Sequence, residues 1–235
     1  ALRLGALLAG VALPRQVHVP LHDPLPIAHW MSAILRSGRT PQLYTYASCA
    51  VRLCQAAIDT GISVQGAQFV IGGEPATASR LAVIDRAGAT AHVQCGSVET
   101  DTIGRGCMSR LVPDDLHLLH DRLAVIQPGD FSTPELSPQA LMITSLFLPM
   151  AKLILLNVSL GDQAEIQYRN CGCPMEKLGW TTHLHTIRSF EKLTAGGMTF
   201  SDADLVRVLE EVLPANFGGG PTDYNLSDAL FGTAA

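Results

Sequence analysis

Hydrophobic residues in the first hundred positions follow two alternating patterns. Apolar positions recur at helical spacing in three segments, 27–36, 48–61 and 76–88. Short β-rich runs follow these segments, at 41–48, 66–75 and 89–96. This alternation of helices and strands predicts an α/β fold in which right-handed crossovers connect parallel strands.

The helical period disappears between residues 115 and 170, where apolar runs separated by turn residues indicate strands. The most apolar stretch, 141–160, contains Pro149 and Lys152. A membrane helix needs about 20 uninterrupted apolar residues, so we divide this stretch into two buried strands and expect no membrane span. We therefore predict a β-rich subdomain over about 107–188.

A second unit is predicted after the β-rich part, which ends in a Gly-Gly turn. Ser201 is a suitable N-cap for a new helix, and Pro214 is expected to mark its far end. A loop and one further strand would follow, and a helix plus one strand cannot bury a core alone. Residues 1–188 are thus predicted to be part of a large domain, and residues 189–235 the start of a small α+β domain.

Composition and charge narrow the function classes. Hydrophobic residues make up 47% of the 235 positions and charged residues 16%, which is sufficient apolar material for a buried core. With a net charge of −5 and no Lys/Arg cluster, the chain is not expected to bind nucleic acid. Gly5 and Gly10 interrupt the short apolar run at the start, and no clear cleavage site follows, so we expect no signal peptide. Six unevenly spaced cysteines favour reduced thiols and a cytoplasmic location.

Cys107, His117, Cys171 and Cys173 form the most chemically specific set in the sequence. Thiolates and imidazoles are the ligands of closed, tetrahedral structural zinc sites. The Cys-x-Cys spacing is tighter than the usual two-residue gap, so buried free thiols remain the alternative on spacing alone. His120 is a competing imidazole. It lies three residues from His117, so on a strand the two side chains face opposite sides and only one can be a ligand.

Two longer motifs indicate a family. Residues 70–107 contain a Gly-Glu-Pro turn and, after a helix and a strand, the sequence Cys-Gly-Ser-Val-Glu. Residues 156–200 contain a Gly-Asp pair, the Cys-x-Cys pair and an Ile-Arg-Ser sequence. In order and spacing these motifs resemble those of acyl-adenylate-forming enzymes of the phenylacetate-CoA ligase type. The resemblance covers the chain from about residue 25 onward.

The resemblance implies roles for individual residues. Adenine would lie along two turns, which are Gly73-Glu74-Pro75 and Cys95-Gly96. Asp162 would bridge the ribose hydroxyls, since a carboxylate accepts two hydrogen bonds at once. Arg188 would reach the ribose or a phosphate, and Glu99 would help to hold Mg²⁺ beside the ATP phosphates. Some members of the family carry an equivalent Cys/His set, which favours zinc over free thiols.

The chain also departs from the family pattern. Four positions carry unusual residues: Cys95 for an aromatic, Val98 for a phosphate-contacting Thr, Asn157 for an Arg, and Phe190 for an acid. No Ser/Thr/Gly-rich phosphate loop lies upstream, and the chain ends before the family's catalytic Lys. The interdomain hinge of the family corresponds to 189–191. We expect a fragment that is inactive alone, because phosphate chemistry depends on positioned donors and cations.

The function implied by the resemblance is that of an ATP-dependent, AMP-forming acyl- or aryl-CoA ligase. Such an enzyme condenses a carboxylic acid with ATP to an acyl-adenylate and then transfers the acyl group to coenzyme A. The alternatives are a non-catalytic nucleotide-binding module and a zinc-stabilised interaction domain. A homodimer is kept as a candidate assembly.

Several polar residues are assigned ordinary structural roles. Asp114 and Asp115 are predicted to form a solvated turn after a proline. His183 and His185 alternate on a strand, so we expect one packed and one exposed imidazole. The pair 210–211 (Glu-Glu) is predicted to lie on the solvated face of the last helix.

Overall fold

The structure, a computed structural model, describes residues 2–11, 13, 16–133, 136–146, 153–189, 193–195, 198–200 and 202–224. Within these ranges the helices are α1 (Leu2–Leu8), α2 (Leu25–Arg36), α3 (Ala47–Thr60), α4 (Ala78–Arg86), α5 (Asp202–Arg207) and α6 (Leu213–Phe217). The strands are β1 (Gln42–Tyr46), β2 (Gln68–Gly72), β3 (Thr90–Ser97), β4 (Asp101–Gly106), β5 (Leu116–Leu118), β6 (Leu123–Ile126), β7 (Ala140–Ser145), β8 (Val158–Tyr168), β9 (Thr182–Ser189), β10 (Leu193–Ala195) and β11 (Met198–Phe200). The predicted α/β class is confirmed.

Nine strands form one mixed sheet in the order β1-β2-β3-β4-β5-β9-β8-β7-β6. The pairs β1–β2 and β2–β3 are parallel, as the alternation of strands and helices predicts, and the other pairs of this sheet are antiparallel. The parallel part and the β-rich part are therefore joined edge to edge through β3 and β4. Strands β10 and β11 form a separate antiparallel pair, and the Gly-Gly pair predicted as a turn lies outside the described residues.

The parallel part encloses the larger hydrophobic core. Phe69 and Ile71, two residues apart on β2, are buried against Leu53 of α3 and Ile84 of α4. Gly61 ends α3 in the left-handed conformation that favours glycine. The helices thus form where the sequence predicts them and fix the ends of β2 and β3.

The β-rich part differs from its prediction over 153–157. Only the first half of the stretch 141–160 forms the expected buried strand, β7. Ile154 is 78% exposed, Leu156 is 75% exposed, and β8 begins only at residue 158. The prediction of a buried strand over these residues is therefore wrong. Pro149 and Lys152 lie outside the described residues.

The C-terminal helical segment, defined as residues 202–217, runs from α5 through a π-helix at Val208–Val212 into α6. Pro214 does not end it, because a proline in the first turn of α6 lacks only an N–H that has no intrahelical partner there. Ser201 and the predicted final strand lie outside the described residues. No helix among the described residues is both long and apolar enough to span a bilayer.

Candidate functional site

A cavity of about 300 Å³ opens where the parallel strands β2 and β3 end. In α/β sheets, ligands bind outside the carboxyl ends of parallel strands. Seven residues predicted for the nucleotide line this cavity: Gly73, Glu74, Pro75, Cys95, Gly96, Asp162 and Arg188. We call this cavity the cleft. Residues separated by more than a hundred positions in the sequence are thus brought together around it.

Glycine backbone forms the floor of the cleft. A Cβ at Gly72 would lie 2.7 Å from the carbonyl oxygen of Gln94 on the neighbouring strand, which no side chain tolerates. Gly73 has φ +73°, and a Cβ there would lie 2.7 Å from the Tyr46 ring. At Gly96, where the register of β3 shifts, a Cβ would overlap the Asp101 carbonyl. Packing within the chain therefore requires glycine at these strand ends.

The carboxylate of Glu74 holds its turn to the surrounding helices. It accepts hydrogen bonds from the backbone nitrogen and the hydroxyl of Ser48, both at 2.8 Å, in the first turn of α3. Nη1 of Arg80 lies 3.0 Å from the same carboxylate and donates to the carbonyl of Pro75 at 3.0 Å. Sequence reasoning missed Ser48 and Arg80, since nothing local links them to this turn.

Asp114 and Asp115 are not a solvated turn, and that prediction is wrong: their residues are only 9% and 2% exposed. The carboxylate of Asp114 accepts hydrogen bonds from the backbone nitrogens of Thr186, at 3.2 Å, and Ile187, at 2.7 Å. Nη1 of Arg188 lies 3.3 Å from the same carboxylate. Asp114 therefore positions the arginine that lines the cleft.

The backbone just before Arg188 is strained. Thr186 has φ +56°, which is unusual for a β-branched residue and is kept only where the surroundings enforce it. The two backbone hydrogen bonds to Asp114 supply that constraint. A residue 72 positions upstream thus holds the turn that directs Arg188 into the cleft.

Carboxylates give the cleft a negative character. Burial, together with the charges of Asp162 and Asp114, raises the pKa of Cys95 to about 12. The Cys95 thiol is therefore neutral at pH 7. Asp162 lies on β8 opposite Ser189 of β9, beside Arg188. One guanidinium facing two carboxylates suits a ligand that has both hydroxyl donors and an anionic group.

Glu99 is the one predicted nucleotide-site residue that does not line the cleft. It lies in the turn 98–100 between β3 and β4. A hydrogen bond from the Ser97 side chain lowers the pKa of Glu99, and so does one at its own backbone nitrogen. Glu99 is thus a half-buried residue at the edge of the site, and Val98 beside it is 83% exposed. Its role in magnesium binding stays a prediction.

A second cavity, of about 710 Å³, adjoins the cleft across Gly73 and Gly96. Tyr44 and Tyr46, two positions apart on β1, line it together with Gln94. The amide nitrogen of Gln94 donates to the Tyr44 hydroxyl at 2.9 Å. The sequence analysis did not name these lining residues, although the alternation of β1 places both tyrosines on one face.

Cys107, His117, Cys171 and Cys173 come together, with ligand atoms within 4.8 Å of one another. Nε2 of His117 lies 3.1 Å from the Cys173 sulfur and 3.6 Å from the Cys171 sulfur. Ligand atoms about 3.5–3.8 Å apart are expected around a tetrahedral zinc ion with bonds of about 2.0–2.3 Å. His120 is exposed. The structure therefore selects His117, as the strand argument allows.

The surroundings of this Cys/His cluster suit metal ligation. Nδ1 of His117 lies 2.7 Å from the Trp180 carbonyl, which leaves Nε2 free of its proton. Burial lowers the pKa of His117 and favours the neutral ligand form. Burial alone would raise the pKa of the Cys173 thiol, but hydrogen bonds from the Met175 backbone and Cys171 outweigh it and lower that pKa.

A charged layer lies behind the cluster. Asp115 pairs with Arg169 and with Nδ1 of His183, the latter at 2.7 Å. The guanidinium of Arg169 also lies 3.8 Å from the Cys107 sulfur, where it offsets the charge of a thiolate. His183 is fully buried and His185 is only partly exposed, so His183 is the packed imidazole that the sequence predicts.

Comparison with known proteins gives one informative match. No known family model matches the chain, and no curated protein matches it by sequence. The fold is similar to the crystal structure of the anthranilate-CoA ligase AuaEII in complex with anthranoyl-AMP, with a TM-score of 0.52 and 13% identity over 85% of this chain and 38% of that chain.

Two further solved structures match at lower TM-scores. One is an AMP-forming acyl-CoA synthetase/AMP-acid ligase II-like protein from Dyadobacter fermentans, with a TM-score of 0.40 and 12% identity over 75% of this chain and 44% of that one. The other is MenE of E. coli with a bound analogue of OSB-AMS. It has a TM-score of 0.43 and 14% identity over 89% of this chain and 40% of that one. The assignment of the fold rests on AuaEII alone. The chain has an α/β fold similar to part of AuaEII and spans 38% of the length of that protein.

Proposed function

We propose that the cleft binds adenosine nucleotides and that the chain is part of an AMP-forming acyl- or aryl-CoA ligase of the phenylacetate-CoA ligase type. The observation that carries this proposal is the convergence of seven predicted nucleotide residues on one cavity at the ends of β2 and β3. The chain spans less than half of AuaEII, so the complete reaction belongs to the proposal for the intact protein.

Different residues of the cleft bind the different parts of the nucleotide. Adenine lies along the two turns that line the cleft, at Gly73-Glu74-Pro75 and Cys95-Gly96. Asp162 accepts hydrogen bonds from the ribose hydroxyls, and Arg188, held by Asp114, reaches the α-phosphate. Mg²⁺ bound at Glu99 would neutralise phosphate charge during attack by the substrate carboxylate on the α-phosphate, which releases pyrophosphate. Transfer of the acyl group to the thiol of coenzyme A would then release AMP.

The second cavity is the candidate pocket for the acid. Its tyrosines offer ring faces to a flat apolar group, and it joins the cleft where an acyl-adenylate would pass from one cavity to the other. AuaEII was crystallised with an aromatic acyl-adenylate. We therefore propose an aromatic carboxylic acid as substrate.

The Cys/His cluster is proposed to hold one structural zinc ion. Four protein ligands close the coordination sphere, so the metal would crosslink β4, β5 and the loop between β8 and β9 without reacting. A zinc-stabilised interaction module remains the alternative function. Metal analysis of the purified protein should give about one zinc per chain, and Cys173→Ser should lower that amount.

Calorimetric titration with AMP tests the main proposal. The wild type is expected to bind AMP, and Arg188→Gln to weaken binding by about 10- to 100-fold because a charge-assisted hydrogen bond is lost. Arg36→Gln, at the exposed end of α2, is the matched control and should leave the affinity unchanged. If neither AMP nor an aromatic acyl-AMP analogue binds in the presence of Mg²⁺, the nucleotide function is wrong and the interaction module is favoured.

Four further assignments stay predictions. They are the cytoplasmic location, the homodimer, the domain boundary near 188 and the hinge at 189–191, of which Phe190 and Glu191 lie outside the described residues.

A further inference from the structure

Glu210 of the C-terminal helical segment has a buried carboxylate. Glu210 is 6% exposed, so the prediction that it lies on the solvated face is wrong. It lies in the π-helix, where its side chain faces the start of α4. Its neighbour Glu211 remains exposed. A carboxylate buried in this way must have strong partners.

Those partners lie at the start of α4. Oε1 of Glu210 lies 2.6 Å from Nη2 of Arg80, whose side chain is 11% exposed. Oε2 accepts a hydrogen bond from the hydroxyl of Thr77 at 2.6 Å and lies 3.5 Å from that of Ser79. Two hydroxyls and a guanidinium beside a helix N-terminus form the donor set that binds phosphate in other proteins.

This donor set does not depend on Glu210 for its shape. Nη1 of Arg80 is held by Glu74 and by the Pro75 carbonyl, both at 3.0 Å. Thr77 is the N-cap of α4 and accepts the Arg80 backbone N–H at 3.3 Å. The site is therefore organised from the cleft side, and Glu210 is an anion that fills it.

The carboxylate leaves one donor of the site unused. Nε of Arg80 is buried and has no hydrogen-bond partner among the described residues. In a planar guanidinium, the Nε hydrogen lies on the same edge as Nη2, so the two form a fork for a bidentate anion. Glu210 engages only the Nη2 side of this fork. A phosphate group, with more acceptor oxygens than a carboxylate, can fill both positions and also reach the hydroxyls.

A cavity of about 390 Å³ adjoins this donor set, lined by Thr77 and Glu210 and by the cations Arg188 and Arg207. Asp114 and Arg188 also line the cleft, so the two cavities meet. We propose that Thr77, Ser79 and Arg80 form a second anion site, for a phosphate group, which Glu210 fills in this arrangement. The site becomes available when the helical segment moves off α4.

Removal of the internal carboxylate tests the site directly and does not depend on the AMP proposal. Inorganic phosphate and pyrophosphate are titrated into the wild type, Glu210→Ala and Glu211→Ala, with binding followed by calorimetry and ³¹P NMR. Glu210→Ala should bind the anions at least about tenfold more tightly than the wild type. Glu211→Ala removes the same charge from the wall of the same cavity and should give little change.

A second substitution locates the bound anion. In the Glu210→Ala background, Ser79→Ala should weaken phosphate binding about three- to tenfold, because a site hydroxyl is lost that contacts neither Glu74 nor the cleft. Arg188→Gln in that background should matter less for phosphate than for AMP. The proposal is overturned if Glu210→Ala binds no more tightly than Glu211→Ala, or if Ser79→Ala has no effect.

Titrations with two different ligands distinguish the source of the phosphate. Adenosine 3′,5′-bisphosphate presents a nucleotide phosphate, and pyrophosphate presents a free anion. Tighter binding of the bisphosphate, sensitive to Ser79→Ala, assigns the site to the phosphate of a larger nucleotide ligand. Equal or tighter binding of pyrophosphate assigns it to a free anion. AMP affinity measured on the same variants shows separately whether the cleft functions.

Discussion

At the scale of single residues, the carboxylate of Asp114 connects the Arg188 side chain in the cleft to the backbone of the turn before it. Its carboxylate accepts two backbone N–H groups of a turn in which Thr186 has a positive φ, and it faces the guanidinium of Arg188. A residue that looks like part of a polar turn in the sequence is thus a buried support of the cleft. The sequence conceals this, because the partners of Asp114 lie more than 70 positions away.

Asp114→Asn should weaken AMP binding about tenfold while the chain stays folded. An asparagine has one acceptor oxygen in place of two and no charge, so it cannot hold both amides and also orient Arg188. Asp59→Asn, on the exposed end of α3, is the matched control. Calorimetry with AMP and circular dichroism of both variants check this, and an unchanged affinity in Asp114→Asn would show that Arg188 needs no such support.

At the scale of elements, the close packing of β2 against β3 excludes a side chain at the end of β2. A side chain at Gly72 would collide with the carbonyl of Gln94, a backbone atom that cannot move without disrupting the parallel pair. The glycine is therefore required by packing, in addition to any use that a ligand makes of it.

Gly72→Ala should destabilise the protein by about 1–3 kcal/mol, the range found for overpacking a filled interior. For a chain of this length, ~2–4 °C of melting temperature is lost per kcal/mol. Gly5→Ala is the matched control, since a Cβ there meets nothing within 4 Å and alanine favours a helix. Thermal melts followed by circular dichroism should show a loss for the first variant only.

The helices and strands of the parallel part follow from periodicity, whereas the site residues at the strand ends follow from the resemblance of their motifs to a family. The strands of the β-rich part are predicted less well from the sequence, because pairing between strands there overrides the local preference of residues for turns. The Gly-Asp pair at 161–162 is typical of a turn, yet Gly161, with φ +91°, lies inside the eleven-residue strand β8, whose pairing with β9 is irregular nearby. Glu210 was assigned to the solvated face because nothing local in the sequence links it to its partners Thr77 and Arg80.

At the scale of the whole molecule, one short strand connects the two candidate sites. Asp114, just before β5, supports Arg188 in the cleft. Asp115 pairs with Arg169 behind the Cys/His cluster, and His117 is one of the four residues of that cluster. Because β5 pairs with β4 on one side and β9 on the other, it cannot shift at one site without moving the other. Such a shared rigid element is the physical requirement for coupling between sites.

Removal of the metal should therefore weaken AMP binding, although no zinc ligand is expected to touch the nucleotide. Coupling free energies between sites are typically about 1–3 kcal/mol, and we expect at least a fivefold loss of affinity in chelated protein, restored by added zinc. Asp114→Asn should abolish most of this dependence, because the link through β5 to Arg188 is cut. If chelated protein that is still folded binds AMP as tightly as the zinc form, the cluster stabilises the β-rich part alone and β5 transmits nothing to the cleft.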